Sequence, residues 1–266
     1  MTDATVLPPW AILVRADNPG PMTLEGTNTY VLRARPGDPA VVVDPGPLDE
    51  AHLSAVADAA GQVALVLLTH GHPDHAEGSQ SFVELTGAPM AAADPRLCVD
   101  ADPLADGARH DVAGLDLLVL ATPGHTGDSV SFLVGDFSTG EPGLLSGDTI
   151  LGRGTTVVAH PDGRLGPYLA SLRVLRDLDG PVTLLPSHGP AGGDATARAS
   201  AYLEHRAQRL DQVRAALAAG DTTPQQVVAR VYADVDPVLW PAAELSVRAQ
   251  LEYLREHPSG TGSNPR

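Results

Sequence analysis

The sequence contains no lysine; all 17 of its cationic side chains are arginine. That excludes Schiff-base chemistry, a lysine general base and a phosphate loop ending in Gly-Lys-Ser/Thr. A single cysteine, Cys98, excludes an internal disulfide framework and any zinc site built from several thiolates. Cys98 reads as an apolar residue of a helical stretch. Long apolar runs are missing too. The longest, Val63 to Leu68, is far short of the roughly 20 residues that a membrane span needs. The N-terminal stretch has no basic segment, and Pro8 and Pro9 break its apolar run, so no signal peptide is read. The expectation is a soluble cytoplasmic protein with no membrane partner.

Cations are scarce relative to acids, and the net charge is −16. Residues 1–194 carry 9 arginines against 25 acids, whereas residues 195–266 carry 8 of each. The excess therefore sits on the N-terminal part, where its field repels polyanions at long range.

A chain of 266 residues is long enough for one large core and a small appended domain. Runs of β-branched and aliphatic residues at 11–14, 28–32, 40–43, 63–68, 115–120, 130–134, 143–145 and 182–185 predict strands. Helices are expected at 48–60, 75–85 and 168–178. The pattern changes after Gly192-Gly193. Asp194 can cap a long helix that runs to about Ala219 and stops at Gly220. Thr223-Pro224-Gln225-Gln226 forms a capping box for a second helix, and Val247, Leu251 and Leu254 mark a third. The expected division is a catalytic domain at 1–194, a helical domain at 195–258 and a disordered tail at 259–266.

The chemistry gathers in His70-Gly71-His72-Pro73-Asp74-His75, directly after a strand. Three imidazoles and a carboxylate on one strand-to-helix turn can diverge to two neighbouring cations, and the donor set suits Zn²⁺, Fe or Mn. Further ligand-type residues follow three other strands: His125 in Thr-Pro-Gly-His-Thr, Asp148 in Ser-Gly-Asp-Thr and His188 in Pro-Ser-His-Gly. Strand ends are where sheet proteins place ligands, and small neighbours leave room for an ion and water.

These segments, in this order over residues 10–190, resemble the metallo-beta-lactamase fold, an α/β four-layer αββα sandwich with a two-metal site. The resemblance implies that His70, His72 and His125 hold one metal, that Asp74, His75 and His188 hold the other, and that Asp148 bridges them. Asp44, in Val-Asp-Pro-Gly, matches a carboxylate that orients the ligands from behind. Two cations of this kind, zinc first, would lower the pKa of a shared water from about 15.7 towards about 7 and supply a bridging hydroxide. Asp74 and Asp148 are the catalytic candidates, Asp74 by orienting that hydroxide or carrying its proton.

Departures narrow the branch. His72 stands where flavo-diiron proteins carry Glu. A carboxylate at 148 differs from the secreted beta-lactamases, and the absence of lysine weakens a glutathione-thioesterase reading. Thr27-Asn-Thr-Tyr30, Leu151-Gly-Arg-Gly-Thr-Thr-Val157, Tyr168-Leu-Ala-Ser-Leu172 and Pro186-Ser-His-Gly-Pro190 resemble the beta-lactamase-like protein 2 branch, which also carries a winged-helix-like C-terminal domain. An insertion at 159–164 departs from that branch. Thr155, Thr156, His160 and Tyr168 are the candidate substrate contacts. His52, His110, His205 and His257 read as surface residues, and Arg198, Arg206, Arg209 and Arg214 as a solvated helix face.

The resemblance implies a hydrolase of a small acyl thioester, ester or lactam, or an endoribonuclease on single-stranded RNA. The acidic catalytic part favours the acyl substrate. A non-catalytic, metal-containing binding protein is the reading from a different class.

Overall fold

The computed structural model describes residues 7–135 and 142–258; the expected tail lies outside them. The strands are β1 (Ala11–Arg15), β2 (Asn28–Leu32), β3 (Ala40–Val43), β4 (Val63–Leu67), β5 (Met90–Ala91), β6 (Arg109–Val112), β7 (Leu115–Ala121), β8 (Val130–Gly135), β9 (Gly143–Gly147) and β10 (Thr183–Pro186). The helices are α1 (Glu50–Ala60), α2 (Pro73–Ala76), α3 (Ser79–Thr86), α4 (Leu165–Arg176), α5 (Ala195–Ala218), α6 (Pro224–Val231) and α7 (Trp240–Glu256).

Two mixed five-stranded sheets form, ordered β1-β2-β3-β4-β5 and β10-β9-β8-β7-β6. Strand periodicity explains how they stack. Along β3, Val41 and Val43 enter the core between the sheets, while Val42 points to the opposite face. Tyr30 and Leu32 likewise face inward and Val31 outward. Trp10, Leu117, Phe132 and Leu185 complete the inner layer. The outer face of the first sheet is covered by α1 and α3 through Leu53, Val56 and Phe82. The outer face of the second is covered by α4 and α5 through Tyr168, Leu172, Ala199 and Tyr202. Strands buried on both faces read as continuous apolar runs, which is how these runs look in the sequence. The result is the αββα sandwich.

The helix expected at 75–85 is two helices. At Gly78 the chain presses on the neighbouring turn, where an added Cβ would lie 2.6 Å from the Pro47 carbonyl oxygen. Gly78 N–H donates to the Gly46 oxygen at 3.0 Å, so the helix restarts there. Cys98 follows a single 3-10 turn, Pro95–Leu97, and is half-buried rather than inside a helix.

The composition shift at 194 marks no break in packing. The first half of α5 belongs to the core with α4, whereas Val213 and Ala216 join Val227, Val228, Val247 and Leu251 in a separate helical core. Asp194 caps α5, and the Thr223 box is formed in full, with both reciprocal hydrogen bonds present. No helix of the described residues is long and apolar enough to cross a membrane.

One consequence of the topology positions the site. β3 and β4 are parallel, β9 and β10 are parallel, and β7 reaches β9 through two antiparallel steps, so β7, β9 and β10 run the same way. The sheets are tied at one rim, where Asn28 N–H donates to the Ser187 oxygen and Val130 N–H to the Thr69 oxygen, both at 2.8 Å.

Candidate active site

That rim collects the loops after β3, β4, β7, β9 and β10, which bring Asp44, the 70–75 segment, His125, Asp148 and His188 together. His70 Nε2 and His125 Nε2 each lie 3.1 Å from His72 Nδ1. His188 Nε2 lies 3.1 Å from Asp74 Oδ2, and His75 Nε2 lies 3.5 Å from the same oxygen. Asp148 stands between these trios. Its Oδ2 is 3.6 Å from His125 Nε2, and its Oδ1 is 3.4 Å from His188 Nε2 and 3.7 Å from His75 Nε2. One carboxylate thus offers an oxygen to each side.

These spacings test whether cations fit. A tetrahedral ion with ligands at about 2.0–2.1 Å holds its ligand atoms about 3.3 Å apart. The trios His70/His72/His125 and Asp74/His75/His188 each keep their ligand atoms within 4.8 Å of one another, with the pairs His70–His72, His72–His125, Asp74–His188 and Asp74–His75 at 3.1–3.5 Å. Moreover His75 Nε2, His188 Nε2 and Asp148 Oδ1 are buried without a hydrogen-bond partner. Orphaned polar atoms of this kind are costly unless something compensates them, and a cation between them does so.

The opposite edges of the rings fix which nitrogen is bare. His125 Nδ1 meets the Val157 carbonyl at 2.9 Å, and His188 Nδ1 meets the Gly26 carbonyl at 3.2 Å. A carbonyl only accepts, so both Nδ1 atoms donate, and in the neutral ring both Nε2 atoms carry lone pairs inward. The Thr69 hydroxyl donates to Asp44 Oδ2 at 2.7 Å, so it can only accept from His70 Nδ1, 3.0 Å away. His75 Nδ1 donates to Asp44 Oδ2 at 2.9 Å.

Asp44 is buried and accepts four hydrogen bonds: from Thr69 N–H, the Thr69 hydroxyl, His75 Nδ1 and the Ser187 hydroxyl. It ties together the ends of β3, β4 and β10. His52, expected at the surface, is buried behind it. His52 Nε2 meets the Thr29 hydroxyl at 3.0 Å, and that hydroxyl donates to the Asp44 carbonyl at 2.6 Å. The small turn at Gly46 leaves space for that ring, which conceals it from a reading of polarity alone.

The electrostatics divide the rings. Burial, then the neighbouring imidazoles, hold His70 well below its ordinary range, and burial also lowers His72. Burial pushes His75 down as well, but the Asp44 and Asp148 carboxylates outweigh it and raise the ring well above 6.5. His188 is raised in the same manner by Asp148 and Asp74. Burial alone would raise Asp74; its close contacts with the His188 and His75 rings reverse this and hold its carboxyl far below the usual carboxylate range.

The candidate substrate contacts separate. Thr155 lines a cleft of about 350 Å³ that opens beside His125 and Asp148. Thr156 also borders it, but its hydroxyl donates to the Asp148 carbonyl at 2.7 Å. Tyr168 is no substrate contact, because it is wholly buried and its hydroxyl donates to the Thr149 carbonyl at 2.7 Å. His160 turns to α7, with Nε2 3.7 Å from Glu252 Oε2. The α5 arginines are not a uniform solvated face. Arg206 is only 4% exposed, donates to the Thr156 carbonyl and lies over the Tyr168 ring. Arg209 packs 4.2 Å over Tyr232, and Arg198 reaches the Gly152 and Gly154 carbonyls. Arg214 alone of the four stays outside, paired with Asp211. His205 and His110 are half-buried, and His257 is exposed and stacked on Tyr253.

The αββα sandwich thus gathers five imidazoles and three carboxylates at one rim, in loops whose donor groups could hold metal ions. Residues 22–188 match the metallo-beta-lactamase superfamily, and residues 223–257 match the beta-lactamase associated winged helix domain. The chain belongs to the metallo-beta-lactamase superfamily. It is 32% identical over 261 residues to a beta-lactamase-like protein 2 homolog of Caenorhabditis elegans, covering 93% of this chain and 84% of that one. It is 31% identical over 251 residues to an atrochrysone carboxyl ACP thioesterase of Aspergillus chevalieri, covering 88% and 77%. The crystal structure of a metallo-beta-lactamase family protein from Thermus thermophilus superposes with a TM-score of 0.77 at 25% identity, covering 95% of both chains.

Proposed function

We propose that this protein is a two-metal hydrolase of an acyl thioester, ester or lactam, with zinc as the first choice of metal and Fe or Mn as others. The observation that carries the reading is Asp148, which turns one oxygen to each of two ligand trios. A pair of divalent cations bound there supplies Lewis acidity and an activated water.

The remaining chemistry belongs to the chain. His70, His72 and His125 would hold one ion, Asp74, His75 and His188 the other, and Asp148 would serve both. Asp74 engages His75 and His188 through Oδ2, which leaves Oδ1 for the proton of the attacking water. As a carboxylate, Asp74 would orient that water and carry its proton to the leaving sulfur or oxygen. Water adds to the acyl carbon, the carbon–sulfur or carbon–oxygen bond breaks, and the products are a carboxylic acid and a thiol or alcohol. The thioesterase among the relatives, the small cleft and the charge of −16 favour an acyl substrate over a polyanion.

The test is a panel of a chromogenic lactam, a p-nitrophenyl ester, an acyl thioester and a single-stranded RNA, each with and without chelator. Hydrolysis of an acyl member that stops on chelation and returns with metal is the expected result. Cleavage of the RNA alone makes the protein a nuclease. Stoichiometric metal without turnover of any member makes it a binding protein.

A further inference from the structure

We propose that the cleft beside the metal-ligand cluster selects acyl substrates that carry an anionic group, with Arg209 and its neighbours on α5 recognising that group. The proposal rests on the hydrolase reading and names its substrate class.

The cleft has two characters. Its lining includes the proposed ligands His125 and Asp148. Val235, Leu239, Ala242 and Ala243 from the α6–α7 region add an apolar part. α5 contributes His205, Arg206 and Arg209, which share one helix face by their spacing. Arg153 borders the same space. Asp148, itself a ligand, is the one acid among the residues that line it. A cationic wall in a chain of net charge −16 runs against the composition.

The pairing of these arginines sharpens the point. Arg96, Arg109, Arg153, Arg164, Arg176, Arg214, Arg230 and Arg248 each have a carboxylate within reach. Among the described residues Arg206 and Arg209, like Arg33 and Arg198, have neutral partners only: the Thr156 carbonyl for Arg206, and the Val231 carbonyl and Gln212 side chain for Arg209. Nε of Arg206 and Nδ1 of His205 are buried and have no hydrogen-bond partner. Removing guanidinium groups from water without a counter-charge is unfavourable, and an anion bound in the cleft compensates it. Arg209 is pre-oriented for this. NH1 is held by Val231 and Gln212 and the plane rests on Tyr232, which leaves the rest of the fork to face a ligand. A space of about 350 Å³ suits a small acyl group and excludes a bulky polymer from its inner end.

The anionic group can sit on the acyl chain, as a carboxylate, or on the thiol carrier, as a phosphate. Three thioesters separate the two: hexanoyl and adipoyl on N-acetylcysteamine, and hexanoyl on coenzyme A. With metal-loaded full-length protein, one of the two anionic substrates is expected to exceed neutral hexanoyl by about tenfold or more in kcat/KM, the scale of one charge-assisted hydrogen bond. A carboxylate on the chain is read by the adipoyl arm, a phosphate on the carrier by the coenzyme A arm. Arg209→Gln should reduce that ratio to near unity, chiefly through KM. Arg209→Lys keeps the charge and stem, serves if the Gln variant does not fold, and should lower the ratio because the fork is lost. Equal kcat/KM for all three thioesters, or a ratio that survives both substitutions, overturns the inference and leaves the hydrolase intact. Absence of turnover with every thioester, ester and lactam overturns both.

Discussion

Asp44 holds His75 by its Nδ1 at 2.9 Å and so aims the opposite nitrogen between Asp74 and Asp148. Asp44 has a left-handed backbone, φ 51, which Asp and Asn tolerate better than other residues. Asp44→Asn therefore keeps the turn while removing the charge and one acceptor that Thr69, His75 and Ser187 share. Metal affinity should fall about 10- to 100-fold, the usual effect of removing a ligand's outer partner. Chelator competition against the unaltered protein measures it, and unchanged affinity would show that His75 is held by packing alone.

The proposed direct ligands should respond more severely. His72→Ala removes one of three nitrogens at the first trio, and Asp148→Asn removes the charge that both trios share. Each variant should lose one or both metals, and hydrolysis should drop by several orders of magnitude. Metal analysis beside the acyl panel checks this; full activity with full metal in either variant removes Asp148 or His72 from the site.

The strands are readable from the sequence where both faces are buried, because a run such as Val41-Val42-Val43 leaves few alternatives. β6 is not, since Arg109-His110-Asp111-Val112 lies at a sheet edge and has no apolar face. β5 has two residues and offers no period to read. The ligand loops are readable because each combines a strand end, small residues and a His or Asp. Arg206 is not, because what it serves, the Thr156 carbonyl, lies 50 residues away in sequence. His52 is hidden for the same reason, since Thr29 and Asp44 give its burial a purpose that no local pattern carries.

Removing bound metal should lower thermal stability. Ligands that bind only the folded state add about 2.7 kcal/mol at a free concentration of 100 Kd. For a domain of this size that corresponds to about 5–10 °C in Tm. Stripping with chelator should produce this decrease, and re-addition of Zn²⁺ should reverse it. A Tm indifferent to both would mean that the orphaned His75, His188 and Asp148 atoms hold no cation.

Gly124 sets the position of its neighbour His125. Its φ is 137, and an added Cβ would lie 2.3 Å from the Tyr168 Cα, a backbone atom that cannot swing aside. Gly124→Ala should destabilise by about 3 kcal/mol or more, through overpacking and backbone strain together. Thermal unfolding measures the effect, and a Tm within about 2 °C of the unaltered protein, on the scale of about 2–4 °C per kcal/mol, would contradict that close approach.

The helical region reaches the ligand cluster through one chain of hydrogen bonds. Arg206 of α5 donates to the Thr156 carbonyl, the Thr156 hydroxyl donates to the Asp148 carbonyl, and the adjoining Val157 carbonyl accepts from His125 Nδ1. Tyr202 of the same helix accepts from Leu151 N–H at 3.0 Å, bracing the other end of that loop. Arg206→Met keeps an apolar stem of similar length but removes the guanidinium from Tyr168 and leaves the Thr156 carbonyl without its donor, a loss of about 1.5–3 kcal/mol for a hydrogen bond to a charged group. Thr156→Val removes a neutral hydrogen bond, about 1 kcal/mol. Both should also weaken metal binding, because Asp148 and His125 hang from the same segment. Arg214→Ala, which deletes an exposed pair with Asp211, should change neither Tm nor metal affinity. If Arg206→Met lowers Tm while chelator competition remains at the unaltered value, α5 stabilises the loop without setting the ligands.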